Sequence, residues 1–352
     1  MDEMAGLKER LDTRNMLGNI EAMADHLEEG MSIGQNVDLR NIESETFNAV
    51  VLSGMGGSAI AGDIVRSYLS GKIQIPFLVQ RHYRLPQFVN RKTLVICSSY
   101  SGNTEETLSA YDDAASRGAK LIVMTTGGEL GAKAREDRVP MVEIPNGLPP
   151  RAALGYSFAP LLIIISRLGL CDQPARGIRQ AAAAMRDRLK RFMPESENNT
   201  ALALANDIHG TVPVIYAGQD NLDAVAWRFK GQICENAGCL AFVSVFPESN
   251  HNELVGWDEL YGLDKRFTII MLRDSKDHRR IRARMDIVSQ YLETKGCKVI
   301  NLQVENGEGL TNIFLWIQYV DFVSYYLALL NGVDPTPVKA IDYLKERLSG
   351  IE

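Results

Sequence analysis

"FNAVVLSGMGGSAIAGDIVRSYL", residues 47–69, falls into three consecutive pieces: an apolar run, a glycine cluster and an amphipathic run. A short apolar run that stops at glycines suits a strand covered on both faces, and the run after them has helical spacing. The same order returns in "KTLVICSSYSGNTEETLSAYDDAASRGA" (92–119) and in "KLIVMTTGGELGAKARED" (120–137). "QIPFLVQ" and "PMVEIP" supply further strands. Strand, turn and helix repeated at this spacing predict βα units around a mainly parallel sheet.

Working outward, residues 1–45 read as a helical segment and 46–190 as a first αβα domain. The first sheet closes at the Pro/Gly-rich "IPNGLPPRAALGYS", and helices follow in "DQPARGIRQAAAAMRDRLKRFM" and "NNTALALANDIHG". A second αβα domain spans 191–352: it starts with "TVPVIYAGQDNLDAVAWRFKGQICENAG", continues through "FTIIMLRDSKDHRRIRARMDIVSQYLETKGCKVINLQV" and ends in helices. The expected fold is α/β, a duplicated pair of such domains linked by helices. The basic run from Arg273 to Arg284, interrupted by Asp274 and Asp277, reads as a solvated helix face.

A net charge of -6, with no basic tail, argues against nucleic acid or an anionic membrane as partner. The five cysteines form no CxxC pair, so neither a disulfide framework nor a zinc site is indicated. Reduced, mostly buried thiols in a cytoplasmic protein fit this usage, and no cofactor or metal is expected. The start "MDEMAGLKERLDTRN" does not read as a signal peptide. "FAPLLIIISRLGL" is too short to cross a bilayer, and "LTNIFLWIQYVDFVSYYLALL" carries Gln318 and Asp321 in its middle. Both are expected as buried helices of a soluble core or interface.

Chemistry concentrates in a few stretches. "GMGGSAIAGD" (54–63) lacks both the G-x-G-x-x-G spacing and the Gly-Lys-Ser/Thr of a Walker loop. Its glycines still allow a ligand to approach the backbone at a helix start, where free N–H groups favour an anion. "CSSYSGNTEET" (97–107) sets Ser99, Ser101 and Thr104 at the end of a strand and the start of a helix. Open α/β sheets hold their ligands there, so these hydroxyls suit a phosphate; helix capping is the plainer reading. Glu235, in "FKGQICENAG" beside Gln232 and Asn236, is a candidate general base, or else a salt-bridged structural carboxylate. His251 in "FPESNHNE" is polar and accessible, and Arg151 in "PPRAALGYS" suits a clamp on developing negative charge.

Together "GMGGSAIAGD", "SSYSGNTEET", "GLPPRAALGYSF", "FKGQICENAG", "FPESNHNE" and "VDPTPVKAIDYLKERL" resemble the bifunctional phosphoglucose/phosphomannose isomerases. These belong to the sugar isomerase (SIS) superfamily, and the resemblance runs from about residue 50 to the C-terminus. It implies two SIS-type domains acting on a 6-phosphosugar. It implies a phosphate held by Ser99, Ser101 and Thr104, with Gly57 and Ser58 beside the substrate. Glu235 would shuttle the proton between C1 and C2, and Arg151 would stabilise the enediolate. His251 would help open the ring from across the interface of a homodimer. A C-terminal lysine would assist at the ring oxygen, Lys345 by its position, with Lys339 as the alternative. The rivals are an isomerase for another phosphosugar and a sugar-phosphate-sensing regulator.

Overall fold

The repeated apolar runs become parallel strands in a computed structural model that describes residues 2–304, 307–348 and 350. Three helices come first: α1 (Asp2–Leu11), α2 (Met16–Glu21) and α3 (Met23–Asn36). Turns and irregular chain occupy 37–48, so the helical reading to residue 45 overshoots α3. The first αβ unit contains β1 (Ala49–Gly54), α4 (Gly56–Leu69), β2 (Phe77–Gln80), β3 (Thr93–Ser98) and α5 (Glu105–Ser116). It continues with β4 (Lys120–Thr125), α6 (Gly128–Glu136) and β5 (Met141–Glu143). A 3-10 turn at Pro150–Ala152 leads into α7 (Leu154–Arg167), α8 (Ala175–Leu189) and α9 (Thr200–Ile208). The second unit holds β6 (Val212–Gly218), α10 (Asp223–Ala237), β7 (Phe242–Phe246), the short α11 (Glu253–Gly256) and β8 (Phe267–Leu272). α12 (Arg279–Thr294), β9 (Lys298–Leu302), α13 (Leu310–Leu330) and α14 (Lys339–Leu348) complete the chain.

The sheets run in the orders β2-β1-β3-β4-β5 and β7-β6-β8-β9, every pairing parallel. Strand for strand, the second order repeats the first four strands of the first. β1 and β6 therefore hold equivalent places, as do β3 and β8. Val50 and Leu52 join a core shared by both halves, while Val51 between them joins a cluster under α5 and α6. Both faces of β1 are covered, which is why its sequence shows no apolar–polar alternation. The second sheet divides likewise, Ile215 and Ile270 inward, Val214 and Ile269 outward toward α12.

α13 is long and apolar enough to span a membrane, yet 94% of its apolar window is buried. It packs against α8, α9 and α10, and α7 packs against α3 and α4. Both apolar stretches are core helices, as the sequence suggests. The basic run departs from its reading. Arg279, Arg280 and Arg282 are exposed, but half-buried Arg273 donates to Asp286 (2.5 Å) and Asn301 (2.7 Å). Arg284 donates to Asn250 at 2.9 Å. Two of the run's arginines fasten loops instead of facing water. The cysteines are all free; Cys97 and Cys297 are buried, while Cys171, Cys234 and Cys239 are half-buried.

Candidate active site

Two helices that start where equivalent strands end, α4 after β1 and α10 after β6, pack on one another. Between them lies a cavity of about 590 Å³ lined by Gly56, Gly57, Arg151, Gln232 and Glu235, together with Arg66, Arg81, Asp223, Trp227 and Lys230. This is the strand-end location that favours ligands in open parallel sheets.

Gly57 explains how a residue from the 150–152 turn reaches this cavity. A Cβ there would stand 2.7 Å from the Pro150 carbonyl oxygen and 3.1 Å from the Arg151 nitrogen. Only glycine lets the turn lie against the first turn of α4. Ser58 is buried, and its Oγ accepts from the Tyr100 N–H at 3.1 Å, so it ties the glycine turn to the hydroxyl loop. In that loop the Ser99 Oγ accepts the Gly102 N–H at 3.1 Å and lies 2.8 Å from the Thr104 Oγ1. Gly102 has φ +73°, and a Cβ on it would strike the Gly127 carbonyl. Thr104 occupies the N-cap of α5 without capping it through its side chain. The capping reading therefore fails for Thr104. Ser101 is exposed and accepts the Asn103 N–H at 3.3 Å. Neither these three hydroxyls nor Ser58 is part of the cavity lining; Ser58 joins their loop to its neighbour Gly57, which is.

Arg151 is 3% exposed. Its Nε donates to the Asn236 Oδ1 at 2.5 Å, and its Nη2 donates to the carbonyls of Pro335 (2.6 Å) and Thr336 (2.9 Å). The remaining nitrogen, Nη1, stands 3.5 Å from the Glu235 Oε2. Burial draws Arg151 below the ordinary arginine range, and Glu235 opposes that shift. An arginine keeps its proton regardless, so a fixed positive charge faces a carboxylate that is about one-third exposed. The arrangement can neutralise an oxyanion formed where the carboxylate removes a proton.

His251 and Lys345 lie elsewhere. His251, itself exposed, ends a 3-10 turn (Glu248–His251), and neither it nor Lys345 lines the cavity. α14 is exposed along its length, Lys339 and Lys345 included. Sequence reasoning missed the pairs that wall the cavity: Arg66 with Asp220 (2.7 Å) and Asp223 (2.8 Å), and Arg81 with Asp63. Burial raises the Asp63 carboxyl while Arg81 pulls it down. The signal available for them was a charge on the inner face of α4.

The loop after β8, equivalent in place to the hydroxyl loop after β3, is filled from within. The Asp277 Oδ2 accepts the Asp274 N–H at 3.3 Å, and the Asp274 Oδ1 accepts the Lys276 N–H at 2.8 Å. Carboxylates therefore stand in this loop where the loop after β3 carries hydroxyls, and like charge disfavours an anion there. Among the described residues no group of three or more His, Cys, Asp or Glu is placed to hold a metal ion.

A relative from Caldicellulosiruptor bescii described as a bifunctional phosphoglucose/phosphomannose isomerase is 42% identical over 96% of this chain and 100% of its own length. The chain belongs to the bifunctional phosphoglucose/phosphomannose isomerase family. A family model, the bacterial phospho-glucose isomerase C-terminal SIS domain, matches residues 197–348. As a member of the phosphoglucose/phosphomannose isomerase family the chain is a sugar-phosphate isomerase built on a sugar-phosphate-binding fold. A D-glucosamine-6-phosphate 4-epimerase from Sulfolobus acidocaldarius is 34% identical over 62% of this chain and 65% of its own. Among solved structures, the C-terminal domain of glucosamine-fructose-6-phosphate aminotransferase from Francisella tularensis has TM-score 0.72 at 15% identity, covering 91% of this chain and 97% of that one. That likeness is one of fold alone.

Proposed function

We propose that the chain interconverts glucose 6-phosphate and mannose 6-phosphate with fructose 6-phosphate through a cis-enediolate. The observation that carries this reading is the Glu235 carboxylate set 3.5 Å from the buried Arg151 guanidinium in a cavity between the two halves. Glu235 removes the C2 proton and returns it to C1, and Arg151 neutralises the oxygen that gains charge. Ser99, Ser101 and Thr104 hold the phosphate, a non-reacting group whose binding energy serves the chemistry at the other end. Gly57 and Ser58 line the approach between phosphate and reacting carbons. Glucose 6-phosphate and mannose 6-phosphate differ at C2, and both give one enediolate when that proton leaves. His251 helps open the ring from a second copy of the chain, and Lys345 assists at the ring oxygen. The exposure of both side chains, away from the cavity, supports a site completed by assembly or closure. The two SIS-type domains divide near residue 190, and the enzyme works in the cytoplasm.

The relative that acts on glucosamine 6-phosphate favours a second reading, chemistry on an amino sugar phosphate. Coupled assays decide between them. Turnover of both glucose 6-phosphate and mannose 6-phosphate to fructose 6-phosphate is expected. Turnover confined to glucosamine 6-phosphate, or binding without turnover of any phosphosugar, would overturn the proposal.

A further inference from the structure

α13 is apolar around its whole circumference and buried from end to end, yet it carries Asp321 at 1% exposure. A carboxylate in such a place has to be matched by donors. The Asp321 Oδ1 accepts from the Arg228 Nε at 2.9 Å and from the Gln232 Nε2 at 3.0 Å, and its Oδ2 accepts from the Arg228 Nη2 at 2.6 Å. The same Arg228 Nη2 also donates to the backbone carbonyl of Arg151 at 3.1 Å. One turn along α13, the Ser324 Oγ donates to the Asp321 carbonyl at 2.7 Å and accepts from the Asn236 Nδ2 at 2.9 Å. Asn236 in turn holds the Arg151 Nε. Arg228, Gln232 and Asn236 recur every fourth residue of α10, one face of a helix, and Glu235 sits beside that face on the cavity.

We propose that Asp321 and Arg228 form a positioning pair for the isomerisation, acting through Arg151. This rests on the proposed function. Asp321 clamps Arg228 in one fork geometry, Arg228 fixes the main chain of the 150–152 turn, and Asn236 fixes the guanidinium. With Nε and Nη2 occupied, the direction of Nη1 toward Glu235 is set by Asn236 and two main-chain carbonyls, none of which lines the cavity. A planar bidentate pair transmits direction as well as charge, which a lone ammonium or an amide does not.

The test is a double-mutant cycle on the full chain with fructose 6-phosphate as substrate. Asp321→Asn is expected to lower kcat about 10²-fold, the scale for a reacting group displaced by roughly an ångström, and to leave KM within about twofold. In an Arg151→Ala background the same substitution should change kcat by less than about twofold, because the group it positions is gone. Effects that multiply in the two backgrounds would assign Asp321 a structural role only and overturn the proposal. Where Asp321→Asn does not fold, the paired Arg228→Met, Asp321→Leu variant replaces the ion pair with apolar volume, a change buried pairs often tolerate. It should unfold at or above the wild-type temperature and still lose about 10²-fold in kcat, recovered in part by no increase in substrate. A folded paired variant with wild-type kcat would defeat the idea. Full turnover in Arg151→Ala alone would instead sink the assigned role of Arg151, a separate failure.

Discussion

Arg151 spends Nε on Asn236 and Nη2 on two main-chain carbonyls, which leaves Nη1 facing Glu235. Glu235 opposite it is a carboxylate that keeps its shape when changed to an amide. Glu235→Gln is expected to fold normally, since a partly exposed pair at 3.5 Å contributes no more than about 1 kcal/mol. It should lose at least about 10²-fold in turnover of fructose 6-phosphate, the lower range for general acid–base catalysis. Turnover within a few-fold of wild type would remove Glu235 from the base role. The hydroxyl loop makes a different demand. Thr104→Val deletes a hydroxyl that sits 2.8 Å from the Ser99 Oγ and caps nothing, so helix α5 should survive. Calorimetry with a 6-phosphosugar inhibitor should then show weaker binding by about 1.5–3 kcal/mol, the value of a hydrogen bond to a charged group. Unchanged affinity would leave that hydroxyl without a ligand.

A helix delivers Glu235, and the packing of α3 on α7 supports the turn that bears Arg151. His26 on α3 is buried and stacks on Tyr156 with ring centroids 4.5 Å apart. Burial lowers its pKa from 6.5, against Glu29 and Asp25, which favour the charged ring. The unfolded chain therefore takes up a proton near pH 6.5 that the folded chain refuses until lower pH. Stability is whole above that value and falls as pH drops through the window, by at most about 1.4 kcal/mol per pH unit. Urea unfolding between pH 8 and 5 should show this slope, and His26→Gln should flatten it; equal slopes would refute the linkage. Elements of this kind were legible where covalent pattern and local physics coincide. The strand–glycine–helix order of 47–69 gave β1 and α4 because backbone turns are written in glycine. β7 escaped notice because "FVSVF" is only five residues long and has no glycine turn and long helix after it, only the 3-10 turn at Glu248–His251 and the short α11. Asp321 was visible as an oddity in an apolar run. Its partner Arg228 was not, since α10 and α13 meet only after folding. Glu235 and Arg151 could be named from their local stretches, but their separation depends on Gly57 admitting the 150–152 turn.

Across the whole molecule, the two sheets repeat one strand order but their equivalent loops differ in charge: Ser99, Ser101 and Thr104 follow β3, while the carboxylates of Asp274 and Asp277 follow β8 and repel an anion. Titration with a 6-phosphosugar inhibitor should therefore give one site per chain, and two sites would contradict the filled loop. The exposed His251 sets an assembly prediction. Inactive Glu235→Gln and His251→Ala proteins, mixed and allowed to exchange subunits, should regain activity from one intact site per heterodimer. No recovery after verified exchange would place His251 outside the partner's site. The carbonyls of Pro335 and Thr336 that hold Arg151 add a consequence in time. A ribosome delivers Arg151 and Glu235 long before it delivers those two carbonyls, so the guanidinium lacks that grip until residues 335 and 336 have been made. A chain ended by a stop codon after Gly332 keeps both sheets and α13 but lacks that grip. Compared with one ended after Val338, it should turn over fructose 6-phosphate about 10²-fold more slowly while binding the phosphate equally. Equal rates from the two truncated products would show that the tail's carbonyls do not aim the guanidinium.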